Sequence, residues 1–338
     1  MTDRAKAAVR FLAESDWGAA ERSHLAGDAS DRRYERLQLD GRTAVLMDSP
    51  PGGADDVQAF VSMARHLRGV GLSAPEIFAE NIAEGFLLLE DLGDALLTRL
   101  LKANPDREAA LYAPTVDVLH HLQTAPAPMG LPDLSAADWA QAAGLAVDCY
   151  ALAAAGNRAD PEPLLAALTS ALATHADRPR VLILRDFHAD NLLWLPDRVG
   201  LAKVGLLDFQ LGQMGQPGYD LVSLLQDARR DVTPATETAM IARFVAATGA
   251  EAKAFAAQYA VLGAQRALRI LGVFTRLCLS SGKPGYLPLI PRVWGQLQRN
   301  LAHPALTGLR AECARLLPEP TPELLMRIES QCATSPSR

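Results

Sequence analysis

Asp186, Asn191 and Asp208 are the residues of this chain best suited to chemistry, and all three fall within VLILRDFHADNLLWLPDRVGLAKVGLLDFQ, residues 181–210. Asp186 follows the apolar run Val181-Leu182-Ile183-Leu184, Asn191 precedes Leu192-Leu193-Trp194-Leu195, and Asp208 ends the run from Val204 to Leu207. Apolar runs of four or five residues bounded by turn formers predict short buried strands. A carboxylate at a strand end is costly to bury alone, so each needs a local partner or a metal and substrate. Asp186 is placed to orient and deprotonate an attacking hydroxyl. Asn191 and Asp208 offer hard oxygens of the kind Mg²⁺ takes in combination with phosphates and water. Together they are the equipment for phosphoryl transfer, where metal charge and alignment supply most of the catalysis.

The elements that must hold these groups divide into two kinds. In the first 90 residues a helix over 3–16 precedes strands at 23–26, 31–39 and 43–47, joined by turns at 27–30 and Asp40-Gly41. A helix over 55–68 carries Val57, Phe60, Val61, Ala64 and Leu67 at helical spacing, and strands at 77–79 and 85–89 follow. Beyond Glu90-Asp91-Leu92-Gly93 the pattern turns helical, with helices expected at 107–123, 136–155, 161–174, 234–247, 251–272, 292–301, 305–316 and 321–330. Pro114 is expected to kink its helix or begin the second half of it. Ser135 with Asp138 has the form of a capping box.

The bulk properties narrow the class. With 49% hydrophobic and 21% charged residues the chain is globular rather than disordered, and its 338 residues suffice for two lobes. Net charge is −6 and no basic block stands out, which argues against extended nucleic-acid contact. No run approaches 18 uncharged apolar residues, so no membrane span is expected, and the N-terminus does not read as a secretory signal. Cys149, Cys278, Cys313 and Cys332 lack metal spacing and read as free thiols of a reducing compartment, so a cytoplasmic location is expected; a monomer is the separate expectation for its assembly.

Residues 186–208 resemble the catalytic and metal-binding loops of the aminoglycoside phosphotransferase group within the protein-kinase-like fold. The resemblance implies an α+β, bilobal fold, with a small antiparallel-sheet N-lobe carrying one main helix and a large, mostly helical C-lobe. The lobes would be residues 1–89 and 94–330, with a hinge at 90–93 and a fraying tail at 331–338. It makes Asp186 the catalytic aspartate, Asn191 and Asp208 the Mg²⁺ ligands, and ATP the donor. Gly215-Gln216-Pro217-Gly218-Tyr219-Asp220-Leu221 resembles a further segment of the group, in which Asp220 anchors the loops. His188 is expected to brace the catalytic loop.

The nucleotide side departs from the pattern. The loop expected over the phosphates, Gly27-Asp28-Ala29-Ser30-Asp31-Arg32-Arg33, is poor in glycine, with Gly27, Ser30, Arg32 and Arg33 as its candidate contacts. Protein kinases carry a lysine on the third strand and a glutamate on the next helix. Thr43-Ala44-Val45-Leu46-Met47-Asp48 has no basic residue and the 55–68 helix has no glutamate, so either another cation serves, with Arg32, Arg33 and Arg65 as candidates, or phosphate neutralisation relies mainly on the metal. Leu87 to Gly93 resembles the hinge, where adenine would meet the backbone near Glu90 and Leu92.

Within the group, the Gly-Asp-Ala-Ser loop, the Met-Asp-x-Pro-Pro strand and the Leu-x-Arg-Asp-Phe-His-x-x-Asn loop resemble the cell-wall sugar kinases of Gram-negative bacteria. That resemblance implies transfer to the anomeric hydroxyl of N-acetylmuramate and N-acetylglucosamine, giving α-1-phosphates for peptidoglycan recycling. Gln210, Asp227, Arg266, Arg269, Trp294 and Arg299 are the candidate sugar contacts. An aminoglycoside or other small-alcohol phosphotransferase is the rival enzyme, and a non-catalytic nucleotide-binding regulator the rival without chemistry.

Overall fold

The structure is a computed structural model that describes residues 3–26, 32–52 and 57–333. Residue contacts divide the chain into two compact units, Met1–Val118 with Ala189–Gly212, and Leu119–His188 with Gln213–Arg338. The strand-rich segment ends at Glu90, where the hinge is expected, whereas the first unit runs on to Val118 and takes in 189–212.

The first unit is built on a sheet. Strands β1 (Glu21–Ala26), β2 (Arg33–Leu39), β3 (Arg42–Asp48), β4 (Ile77–Asn81) and β5 (Phe86–Glu90) pair in the order β1-β2-β3-β5-β4, every neighbour antiparallel. Helix α1 (Asp3–Glu14) lays Ala8, Phe11 and Leu12 against Leu37, Ala44, Leu46, Phe86 and Leu88, forming one core. Helix α2 (Val57–Gly69) buries the five apolar residues that its spacing predicts, together with Met63. Gly85 closes the β3–β5 corner: at φ +73 it accepts from Ser49 N–H at 2.9 Å, and a Cβ there would lie 1.8 Å from Ser49 O. Helix α3 (Leu97–Ala103) follows the sheet, and β7 (Leu192–Trp194) and β8 (Val204–Leu206) form an antiparallel hairpin in the same unit. Helix α4 (Glu108–Thr124) is continuous through Pro114, so the proline does not start a second helix.

The second unit is helical around a short ribbon. Strand β6 (Val181–Ile183) pairs with β9 (Gln213–Gly215), a strand that the sequence reading does not contain. The expected helix over 136–155 is interrupted. It is α5 (Ala136–Ala143), a π-helical stretch at Ala146–Ala151, and α6 (Leu152–Ala155). The cause lies far away in sequence: α7 (Glu162–His175), α8 (Tyr219–Leu225) and α9 (Pro234–Thr248) precede α10 (Ala252–Ser281), whose Gly272 touches the backbone of Leu145. A Cβ on Gly272 would sit 2.3 Å from Leu145 C, and the widened helical turn lets the chain pass at that distance. The capping box forms as expected, Asp138 N–H donating to Ser135 Oγ at 3.2 Å and Ser135 N–H to Asp138 Oδ2 at 2.9 Å. Helices α11 (Ile290–Leu301), α12 (Thr307–Leu316) and α13 (Pro322–Glu329) complete the unit.

One expectation about cysteine is corrected. Cys278 and Cys332 form a disulfide, and of the four cysteines only Cys149 and Cys313 are free. The two are 54 residues apart, so spacing gave no sign of it; the chain beyond α13 returns to the end of α10 and brings the Cα atoms within 4.8 Å. No helix among the described residues is long and apolar enough to cross a membrane.

Candidate active site

Asp186 belongs to the second unit and leaves β6 through a strained residue. Arg185 has φ +71, a left-handed conformation uncommon for a side chain with a Cβ. Its backbone is held at both ends: Asp220 Oδ1 accepts from Arg185 N–H at 2.9 Å, and Ser223 Oγ donates to Arg185 O at 3.3 Å. The other Asp220 oxygen accepts from Leu184 N–H at 2.6 Å. Asp220 is fully buried on α8, and burial pushes its pKa up to about 7 against the pull of those two N–H donors. It therefore anchors the strand end from which Asp186 emerges.

His188, two residues on, is 6% exposed and lies 3.4 Å by its Nε2 from Arg229 Nη1. Burial, with Arg229 and Arg266 nearby, depresses its pKa to about 3, so the ring is neutral at physiological pH.

Asn191 and Asp208 sit together in the first unit, five and 22 residues after Asp186 in the chain. Asn191 immediately precedes β7 and Asp208 lies two residues beyond β8, and the hairpin pairing extends to Asn191, with Leu207 N–H donating to Asn191 O at 2.9 Å. Asn191 Nδ2 lies 3.5 Å from Asp208 Oδ2, and Gln210 Nε2 donates to Asp208 Oδ1 at 2.7 Å. Asp208 has φ +54 and is exposed, so its carboxylate projects out of the hairpin. Among the described residues no group of three His, Cys, Asp or Glu side chains forms a metal cage. One carboxylate beside one amide fits Mg²⁺ instead, because that ion keeps waters and substrate phosphates among its ligands. A half-turn of the Asn191 amide presents Oδ1 to the same point.

The nucleotide-side candidates scatter by burial. Gly27 and Ser30 lie outside the described residues. Arg32 is 2% exposed, its guanidinium 6.0 Å from the centre of the Phe60 ring, and Phe60 packs on Phe209 at 4.9 Å. Arg33 is exposed, and Arg65 is paired on the surface with Glu80 at 2.8 Å. Met47, on the strand where a lysine is absent, is fully buried. The side chain of Glu90 is bonded to Arg198, with Arg68 at 3.6 Å, and its N–H donates to Glu76 O at 2.8 Å. Beyond it Leu92 is half-buried, and Leu92, Leu193 and Leu195 close over Gly205, where a Cβ would meet each within 3.4 Å.

The expected sugar contacts are equally dispersed. Gln210 is engaged with Asp208. Asp227 is 1% exposed and accepts from Arg229 N–H at 2.8 Å, and Arg266 is 7% exposed and donates to Gln226 O at 3.2 Å. Arg269 is half-buried on α10. Trp294 lies 6.4 Å from the Tyr150 ring, and Arg299 pairs with Glu237 at 2.9 Å. None of the six lines the cavity of about 450 Å³ in the second unit, whose walls include Phe244, Phe255 and Pro217. Arg229 is missing from the sequence reading, although the charge run Asp227-Ala228-Arg229-Arg230-Asp231 could have flagged it.

Comparison with known proteins decides the family. Residues 21–262 match the family described as phosphotransferase enzyme family. The chain belongs to that family. This phosphotransferase is 36% identical to the N-acetylmuramate/N-acetylglucosamine kinase of Caulobacter vibrioides, over 95% of this chain and 98% of that protein. It is 32% identical to the protein of the same name from Pseudomonas aeruginosa, over 86% and 88%. Among solved structures it resembles aminoglycoside phosphotransferase APH(2'')-Ib in its ADP-bound form. The TM-score is 0.57 at 14% identity, covering 86% of this chain and 97% of that one. The phosphotransferase is thus an ATP-dependent enzyme with an alcohol acceptor and an α+β protein-kinase-like fold.

Proposed function

We propose that this phosphotransferase moves the γ-phosphate of ATP to the anomeric hydroxyl of N-acetylmuramate and N-acetylglucosamine, giving α-1-phosphates for peptidoglycan recycling in the cytoplasm. The observation that carries this reading is the likeness, end to end, to the Caulobacter vibrioides kinase of those two sugars. The likeness to an aminoglycoside phosphotransferase is at 14% identity and speaks to the fold alone.

In this reading Asp186, held at the end of β6, accepts the sugar hydroxyl's hydrogen bond and aligns its oxygen for in-line attack. Asn191 and Asp208 hold Mg²⁺, which when bound neutralises the phosphates. Gln210 fixes one oxygen of Asp208 and so sets which oxygen is left for the metal. Arg32 is the candidate to replace the missing lysine, with Gly27 and Ser30 on the phosphates and Arg33 outside. The adenine lies against Leu92, drawing on the backbone beyond Glu90, whose own N–H is spent within the sheet.

The test is turnover of purified protein with ATP and Mg²⁺ against N-acetylmuramate, N-acetylglucosamine, choline and aminoglycosides, the product read by phosphorus NMR. A sugar 1-phosphate is expected. Phosphate at C6, or transfer to aminoglycosides alone, would rule out the anomeric assignment.

A further inference from the structure

The segment from Gln226 to Asp231 has no secondary structure of its own after α8, yet it is held more firmly than most loops. Three successive carbonyls are captured by side chains from α10 and α11. Arg266 donates to Gln226 O at 3.2 Å, Gln296 to Asp227 O at 2.9 Å, and Arg292 to Ala228 O at 3.1 Å. The ends are fixed as well. Gln226 exchanges two hydrogen bonds with Asn300, at 2.8 and 3.0 Å, and Arg292 grips Asp231 through both carboxylate oxygens at 2.7 and 3.0 Å. Inside the loop, Asp227 Oδ1 accepts the Arg229 N–H at 2.8 Å, turning the chain there.

This ordering fixes the chain on both sides of Arg229. Arg229 is exposed, as is Asp231, and the Arg229 Nη1 lies 3.4 Å from Nε2 of His188, two residues beyond Asp186 in the catalytic loop. His188 is neutral, so its ring accepts from the guanidinium instead of repelling it. Three buried or half-buried side chains, Arg266, Gln296 and Arg292, thus hold the carbonyls of the three residues just before it. A cation fixed against the catalytic loop can recognise an anionic substituent on the acceptor. The guanidinium plane matches a carboxylate, and its position on a rigid platform lowers the entropy cost of that contact.

On the reading that the acceptors are the two amino sugars, we infer that Arg229 is the residue that recognises the lactyl carboxylate of N-acetylmuramate and so separates it from neutral N-acetylglucosamine. The contact adds affinity for the acidic sugar, while the neutral one binds through the rest of the site.

The test is steady-state kinetics of Arg229→Gln on both sugars and on N-acetylmuramate methyl ester, in which the charge is removed. Loss of the charge-assisted bond is expected to raise KM for N-acetylmuramate about ten-fold or more, leaving kcat within about two-fold. KM for N-acetylglucosamine and for the ester should be unchanged, and added salt should weaken N-acetylmuramate binding in the wild type more than in the variant. Arg229→Lys should recover part of the loss. Equal effects on all three sugars, a raised KM for ATP, or no effect on N-acetylmuramate would each overturn the assignment. Full turnover of N-acetylglucosamine by the variant would leave the kinase reading standing in any of those cases. Wild type that phosphorylates neither sugar would overturn both.

Discussion

At the scale of residues, the strain at Arg185 and the burial of Asp220 form one device. A left-handed residue with a Cβ costs about 1–2 kcal/mol, and it persists here because Asp220 and Ser223 bind its backbone on both sides. In Asp220→Asn one end of the side chain becomes an NH₂ facing a buried N–H, so at least one backbone donor is left without an acceptor. The expected loss is about 1–3 kcal/mol of stability, measured by urea unfolding, with a drop in kcat larger than any change in KM for ATP. Unchanged kcat in a folded variant would show that Asp220 does not hold the Asp186 loop. The three candidate groups could be named from the sequence because together they resemble the family's loops; singly, Asp and Asn at strand ends are ordinary turn residues. What holds them was less visible. The left-handed φ of Arg185 leaves no trace in residue type, as the position is not a glycine, and the Arg229–His188 contact joins positions 41 apart in the chain.

Elements were legible where a local period decides them and illegible where a distant neighbour does. The five strands and α2 followed from alternation, turn residues and helical spacing, all readable within a dozen positions. The interruption of the 136–155 helix follows from Gly272, more than a hundred residues away, and the Cys278–Cys332 bond from the return of the chain beyond α13. A paired substitution separates the two kinds of glycine. Gly272→Ala must push α10 off Leu145, since its Cβ would fall 2.3 Å from a backbone carbon, and a loss of about 2 kcal/mol or more is expected. Gly295→Ala, exposed on α11 with nothing within 4 Å of the new Cβ, should stabilise by about 0.5–1 kcal/mol through helix propensity. Thermal and urea unfolding of the two variants decide it, and a neutral Gly272→Ala would remove the packing explanation for the broken helix.

For the whole molecule, two buried groups in the second unit set opposing dependences of stability on pH. His188 has a folded pKa of about 3 against 6.5 in the unfolded chain, so the unfolded state takes up a proton first as pH falls. Its contribution is fully present above pH 6.5 and is lost progressively down to about pH 3. Asp220 runs the other way. Its folded pKa of about 7 exceeds the unfolded 3.8, so its contribution is fully present below pH 3.8 and is lost as pH rises toward 7. Between pH 3.8 and 6.5 each contributes a slope of up to about 1.4 kcal/mol per pH unit, with opposite signs, and the pair nearly cancels. Removing one member exposes the other. His188→Asn is expected to be less stable than wild type at pH 7, and the deficit should shrink by up to about 1.4 kcal/mol per unit as pH falls through that window. Urea unfolding of both proteins at several pH values gives the difference directly, and carboxylates common to the two drop out of it. A deficit independent of pH would mean that His188 is not held neutral in the folded protein, and the account of the ring as an acceptor for Arg229 would fail with it.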